Sequence, residues 1–315
     1  MELIEGVALS ELCDYSFGDQ SGQWGNIYTS FMKDANLLNT EFASKVFDIK
    51  KEREWMTLFV DNIRLYKRDI IEVKPEDEKY VFGLMENSDV LRLCGCFRNM
   101  KFIIFTNLED TPTDEDIFDS IPDNVLCISA VNAIEHGGKV IPAPYGVQRR
   151  MSRLDTRIDQ LKNAMGKNLK PVLPLYVNHN DNSHPERVGL KDMFRDWATV
   201  EDQRVDYTNF LLNLARHKFV LCPRGNAIDC HRNWEVLYMR RVPVMKTDPY
   251  LMDLFYDYPV LWVHDYADVR IELLLDNYHL YEEAQEMDLA PLTLPTFFDN
   301  IINAYTGVSE SKLYG

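Results

Sequence analysis

The chain has 315 residues, 46% of them hydrophobic and 27% charged, with a formal net charge of -16; that composition is globular and argues against disorder. A single core stops growing near this length, so two domains of about 150 residues each are expected. An acidic surface repels phosphate backbones and anionic lipid, which argues against nucleic acid and membrane surfaces as partners and leaves a phosphate-bearing small molecule only where a local basic pocket exists.

From the amino terminus, residues 1–12 carry neither a basic leader region nor a long apolar stretch, and nowhere do 18 apolar residues follow one another. The expectation is a cytoplasmic protein without signal peptide or membrane span. The cysteines Cys13, Cys94, Cys96, Cys127, Cys222 and Cys230 include no C-x-x-C pair, and most sit in apolar runs. They read as buried free thiols.

Short apolar runs then alternate with longer mixed segments, the pattern of an α/β protein. In the first half the strand candidates are residues 8–17, 55–60, 102–106, 125–130 and 140–143. Polar loops follow several of them: Gly18-Asp19-Gln20-Ser21-Gly22, Asp61-Asn62 and Asn107-Leu108-Glu109-Asp110. Ligands of open α/β sheets sit at the carboxyl ends of strands, so these loops are the informative ones. Residues 149–170 are polar and helix-prone, and the boundary between a domain 1–160 and a domain 161–315 is placed within them.

In the second half, residues 172–177 read as a strand, followed by a loop 178–185 rich in Asn, Asp and His. Helices are expected at 187–197 and 207–215, a strand at 219–222, a helix at 228–239 and strands at 242–245 and 260–263. The tail 273–305 is mostly helical. Regular strand–helix–strand alternation with short connections implies a parallel sheet with right-handed crossovers.

The stretch that carries chemistry is Phe219-Val220-Leu221-Cys222-Pro223-Arg224-Gly225-Asn226-Ala227-Ile228-Asp229-Cys230-His231-Arg232-Asn233-Trp234-Glu235. A buried strand runs into Pro-Arg-Gly-Asn, and a helix begins soon after. Gly225 allows a tight turn and close approach to a ligand, Asp229 is placed to cap the helix, and helix-start N–H groups attract anions. Arg224 and Arg232 add fork-shaped cations suited to phosphate oxygens. Glu235, three residues after Arg232, shares its helix face; beside a diphosphate a carboxylate suits ribose hydroxyls rather than phosphate. The same residues also fit a surface ion pair and an ordinary turn. His231 fits either a ligand contact or a cap of its own helix, and Trp234 reads as core.

Residues 219–245 resemble the exostosin-like glycosyltransferases, particularly the short soluble forms of large DNA viruses and microbes. The resemblance rests on Pro223-Arg224-Gly225-Asn226-Ala227, His231-Arg232, Trp234-Glu235-Val236-Leu237 and Val242-Pro243-Val244-Met245. It extends more weakly to Tyr176-Val177-Asn178 with Arg187, and to Ile141-Pro142-Ala143-Pro144-Tyr145-Gly146-Val147. It departs at Ala227, where a glycine is common, and at Arg240-Arg241, where small residues are usual.

The resemblance implies a GT-B fold, two Rossmann-like domains with a cleft between them. A nucleoside-diphosphate sugar, with a UDP sugar favoured, would bind the second domain through Asn178, Arg187, Arg224, Gly225, Asn226, His231, Arg232 and Glu235. A glycan or glycoprotein acceptor would bind the first. It also implies no metal or other cofactor, because helix dipole and arginines stabilise the departing diphosphate. The histidines His179 and His184 lack a third partner at metal-ligand spacing.

An inverting transferase needs a general base beside the acceptor hydroxyl. The order of candidates is Asp19, Asp14 and Asp110, with Asp61 weaker; each also fits a solvated turn carboxylate. Two other functions compete: a non-catalytic nucleotide- or carbohydrate-binding protein on the same fold, and a Rossmann oxidoreductase. The absence of G-x-G-x-x-G after a strand argues against the last.

Overall fold

The structure, a computed structural model, describes Leu3 and residues 15–17, 55–61, 101–107, 121–133, 138–147, 157–167, 169–203 and 205–306. The chain divides into two compact units. One comprises Gly6–Glu109, Thr113–Ala143 and Phe298–Gly315, the other Met1–Glu5, Asp110–Pro112 and Pro144–Phe297.

The first unit carries a parallel sheet of β1 (Tyr15–Phe17), β2 (Trp55–Asp61), β3 (Lys101–Asn107), β4 (Val125–Ala130) and β5 (Val140–Pro142), in the order β1-β2-β3-β4-β5. Strands buried on both faces read as unbroken apolar runs, as in Phe102, Ile103, Ile104 and Phe105 of β3, all buried. A doubly wound sheet reverses its strand order partway across; among the described strands this one runs sequentially, so it shows no switch point.

The second unit holds β6 (Leu173–Val177), β7 (Thr199–Val200), β8 (His217–Leu221), β9 (Val242–Lys246) and β10 (Leu261–Val263), all parallel, in the order β10-β9-β8-β6-β7. Here the order does reverse. From β6 the chain goes outward to β7 and returns on the other side to β8. That places a topological switch point between β6 and β8, the place where an open α/β sheet forms its ligand crevice.

The helices of this unit are α1 (Arg157–Gly166), α2 (Leu190–Phe194), α3 (Tyr207–Ala215), α4 (His231–Tyr238), α5 (Pro249–Leu254), α6 (Ile271–Asp276) and α7 (Tyr278–Glu286); a last helix, α8 (Leu294–Thr306), runs on into the other unit. Successive strand side chains alternate faces. Leu175, Val177, Phe219, Leu221, Val242, Val244, Leu261 and Val263 form one face, packed by Leu190 and Phe194 of α2, Leu274 of α6 and Ala284 of α7. Tyr176 lies on the opposite face, its ring 6.2 Å from that of Phe210 on α3. Both faces are covered, which is why these strands lack a polar side. No helix among the described residues is long and apolar enough to cross a membrane.

The helix expected over 187–197 is instead a 3₁₀ turn, Pro185–Arg187, and the short α2. Gly189 between them sits at φ +80°, a left-handed conformation that interrupts the helix and that glycine adopts without strain.

Helix α4 ends in a Schellman arrangement: Arg240 N–H bonds Leu237 O at 2.8 Å and Arg241 N–H bonds Val236 O at 3.0 Å, with Arg240 left-handed at φ 56°. Arg241 is 4% exposed. Its guanidinium donates to the carbonyls of Ala215 and Met239 at 2.8 Å, Leu169 at 2.8 Å and Arg240 at 3.0 Å. The orphaned carbonyls at the ends of α3 and α4 thus share one cation, favoured at helix carboxyl termini. Arg241→Met keeps the bulk and leaves these carbonyls buried without donors, at about 1–3 kcal/mol each when unsatisfied. The variant is expected to lose about 3 kcal/mol or more, read as a lower urea midpoint with an unchanged m-value.

Candidate functional site

The carboxyl ends of β6 and β8 lead into two loops that carry most of the residues singled out in the sequence. After β6 come Asn178 and the turns Asp181–Ser183 and Pro185–Arg187. Asn180 caps the first through Asn182 N–H and His184 caps the second through Glu186 N–H. These caps fold a polar loop so that it ends on Arg187. After β8 come Pro223, Arg224 and Gly225, and then the start of α4.

Arg187 is 7% exposed and ties the two loops together. Its Nε donates to Arg224 O at 2.7 Å, Nη2 to Pro223 O at 2.8 Å and Nη1 to Ser183 Oγ at 2.7 Å. Gly225 serves this contact: a Cβ there would stand 3.2 Å from Arg187 Nη2. In the described structure the missing side chain makes room for a guanidinium.

Arg232 lies in the first turn of α4. Its Nη2 is 3.5 Å from Asn178 Oδ1, at the outer limit of a hydrogen bond, and its guanidinium lies 5.5 Å from the Phe210 ring centre. The Nε atoms of Arg224 and Arg232 are buried without a hydrogen-bond partner. Among the described residues no carboxylate lies within ion-pair distance of Arg187, Arg224 or Arg232. The arginines act on one another and on their neighbours. Burial and then Arg232 lower the pKa of Arg187, and burial and then Arg224 lower that of His184. Guanidinium groups stay charged under such shifts, so the switch point carries positive charge with no carboxylate at ion-pair distance among the described residues.

Glu235, one turn further along α4, is 6% exposed, and its Oε1 accepts from the Tyr207 hydroxyl at 2.8 Å. Burial raises its pKa, while Tyr207, Arg232 and Arg157 pull it back. The surface ion pair with Arg232 does not form; the carboxylate is buried and held by a phenol from α3.

Two expectations for the start of α4 change. The cap position is Cys230, which makes no side-chain cap bond. Asp229 precedes it, fully buried, and accepts from Tyr145 N–H at 2.8 Å, Asn233 Nδ2 at 2.9 Å and Trp234 Nε1 at 2.7 Å. A buried indole N–H requires an acceptor, and Asp229 supplies it rather than capping the helix; burial pushes its pKa up to about 6 against these donors. His231 is the first residue of the helix and does not cap it. Its ring stacks on Tyr145 at 4.3 Å, and Nδ1–H donates to Gly146 O at 2.8 Å.

Asn178 donates to the Tyr176 hydroxyl at 3.0 Å, and Asn226 is exposed in the β8–α4 loop. Asn178, Arg187, Arg224, Gly225 and Arg232 therefore gather at the switch point, while Glu235 lies deeper and His231 turns to residues 145–146. Asp14, Asp19 and Asp110 lie outside the described residues, and of Asp61 only the backbone is described. Tyr207 and Arg157, whose guanidinium lies 5.1 Å from the Tyr207 ring centre, were missed in the sequence. The available signal was Asp206, the N-cap of α3, which sets an aromatic residue at the first helical position. No family model matches the chain, and no curated protein matches it significantly.

His179, 4% exposed, donates from Nε2 to Arg187 O at 3.2 Å, while its Nδ1 is buried without a hydrogen-bond partner. Burial and then Arg232 lower its pKa from 6.5 to about 4. The unfolded chain binds this proton more readily than the native one. Stability from this group is therefore full above pH 6.5 and is lost as pH falls toward about 4, at roughly 1.4 kcal/mol per pH unit. Urea midpoints measured at pH 7, 6, 5 and 4 are expected to fall, and His179→Gln to flatten that slope.

Proposed function

We propose that the chain is a metal-independent, inverting glycosyltransferase of GT-B architecture. It moves a sugar from a nucleoside-diphosphate sugar, a UDP sugar first, to a hydroxyl of a glycan acceptor. The observation that carries this reading is the cluster of Arg187, Arg224 and Arg232 at the β6/β8 switch point, without a carboxylate partner among the described residues. In a chain of net charge -16, such a cluster fits a bound anion better than a structural ion pair. The neighbouring carboxylate, Glu235, adds a hydroxyl acceptor suited to ribose. The resemblance of residues 219–245 to exostosin-like transferases points the same way.

On this reading Arg224 and Arg232 hold the diphosphate and meet the charge that builds on it as the glycosidic bond breaks. Such contacts are stronger in the transition state than in the ground state. Arg187 holds the two loops in register, and the amino end of α4 adds its dipole. The general base comes from the first half of the chain, with Asp19 first in order, then Asp14 and Asp110. It takes the acceptor proton as the hydroxyl attacks the anomeric carbon from the face opposite the diphosphate.

Calorimetry with uridine diphosphate and transfer assays with a radiolabelled UDP sugar test this. Arg224→Ala and Arg232→Ala are each expected to weaken nucleotide binding and also to lower turnover. The loss of a charge-assisted hydrogen bond, about 1.5–3 kcal/mol, corresponds to roughly tenfold to a hundredfold. A raised KM with unchanged kcat would mean uniform binding only. Asp19→Asn is expected to cut transfer by roughly a hundredfold or more, the scale of general-base loss, with nucleotide affinity near wild type. Near-normal transfer by this variant moves the assignment to Asp14 or Asp110. Nucleotide binding without transfer to any acceptor would make the chain a binding protein.

A further inference from the structure

Glu235 is not alone at the depth where a ribose would sit. The Tyr207 hydroxyl donates to its Oε1 at 2.8 Å, and Tyr207 is half-buried at the start of α3. Asp206 fixes that start by accepting from Asn209 N–H at 3.0 Å. Arg157 lies over the Tyr207 ring, 5.1 Å from its centre, and Phe210 stacks beside it at 5.9 Å. The phenol is therefore held from several sides with its oxygen against the carboxylate.

A phenol that donates its proton to a carboxylate keeps lone pairs on its oxygen, and the carboxylate keeps acceptor capacity on its second oxygen. Two adjacent acceptors result. They flank the 2.8 Å bond from Tyr207 Oη to Glu235 Oε1, one on the phenol and one on the same carboxylate, so vicinal hydroxyls of a cis-diol can donate one to each. A carboxylate whose Oε1 already accepts one strong donor is less able to take both hydroxyls by itself.

We propose that Tyr207 is a specificity-determining residue of the nucleotide site: the Tyr207–Glu235 pair reads the ribose cis-diol, one hydroxyl donating to Glu235 Oε2 and its neighbour to Tyr207 Oη. The proposal rests on the donor-site reading above. Burial raises the pKa of Glu235, and the Tyr207 proton, Arg232 and Arg157 act against that rise, toward the charged carboxylate that this pairing needs.

The test is calorimetric titration of wild type, Tyr207→Phe and Glu235→Gln. Uridine, guanosine, adenosine and cytidine diphosphates are compared first. The tightest is then compared with its 2′-deoxy and 3′-deoxy forms and with inorganic pyrophosphate. Wild type is expected to bind the ribonucleotide more tightly than either deoxy form. Tyr207→Phe is expected to weaken the ribonucleotide about fivefold, the scale of one neutral hydrogen bond. It should weaken only one deoxy form and leave the other, which lacks the hydroxyl read by Tyr207, and pyrophosphate unchanged. Glu235→Gln should weaken mainly the opposite deoxy form.

A Tyr207→Phe loss shared equally by all four ligands, pyrophosphate included, would show a structural role and overturn the proposal, as would no loss at all. Wild type that binds pyrophosphate but no nucleoside diphosphate would overturn the donor-site reading and the diol assignment together. Wild type that distinguishes ribose from both deoxy forms, while Tyr207→Phe distinguishes them equally well, would overturn the diol assignment alone.

Discussion

The arrangement of the second sheet's carboxyl edge depends on one buried guanidinium. Arg187 spends its donors on the carbonyls of Pro223 and Arg224 and on Ser183 Oγ, joining the loop that leaves β6 to the loop that leaves β8. Carbonyl dipoles satisfy its hydrogen bonds but do not cancel its charge. A carboxylate would have done both, and none among the described residues lies within ion-pair reach. The loops are held in register while the positive field survives. Gly225 is part of the same constraint, since a side chain there would press on Arg187 Nη2 at 3.2 Å.

That concentration of charge is costly. Nε of Arg224 and of Arg232 are buried without partners, and an unsatisfied buried donor costs about 1–3 kcal/mol. The arginines also repel one another, and burial first and then the arginines lower the pKa values of His179 and His184, so these neighbours are biased toward their neutral forms. An anion entering the site would satisfy the orphaned donors and offset the repulsion together. Because the chain as a whole is acidic, attraction is confined to short range, within about a Debye length of 8–10 Å. On the proposed reading, discrimination among anions falls to neighbouring groups such as Glu235 and Tyr207.

The second sheet was largely legible because its strands are short apolar runs with strong punctuation. Residues 172–177 were expected as a strand and Leu173–Val177 forms one; 242–245 became Val242–Lys246. In the first sheet residues 125–130 became Val125–Ala130. The strand order was not legible, because apolar periodicity says which residues are buried and not which strand lies beside which. The arginines of the site were visible through their crowding around Pro223-Arg224-Gly225. Their tertiary roles were not: Asp229 looks like a cap until the Trp234 indole and the Tyr145 amide are seen to converge on it. Gly225 looks like a ligand contact until Arg187, a residue 38 positions earlier in the chain, is seen to fill the space. Tyr207 was passed over because a tyrosine at the start of an amphipathic helix is indistinguishable in sequence from a core aromatic.

Arg232 and Arg241 show how a structural arginine differs from one held for another purpose. Both belong to the α4 region, and both lack carboxylate partners among the described residues. Arg241 sits at the carboxyl end, where the helix offers unpaired carbonyls, and its donors meet backbone oxygens from the ends of two helices. Its charge is answered by the macrodipoles. Arg232 sits at the amino end, where the dipole is positive and repels it. Its protein acceptor is Asn178 Oδ1 at 3.5 Å, and Nε has none. Folding alone would favour a carboxylate at that position, as at most helix amino termini. A cation there, beside Arg187 and Arg224, works against the helix dipole, and on the proposed reading the anion that lies against the same helix end is what offsets it.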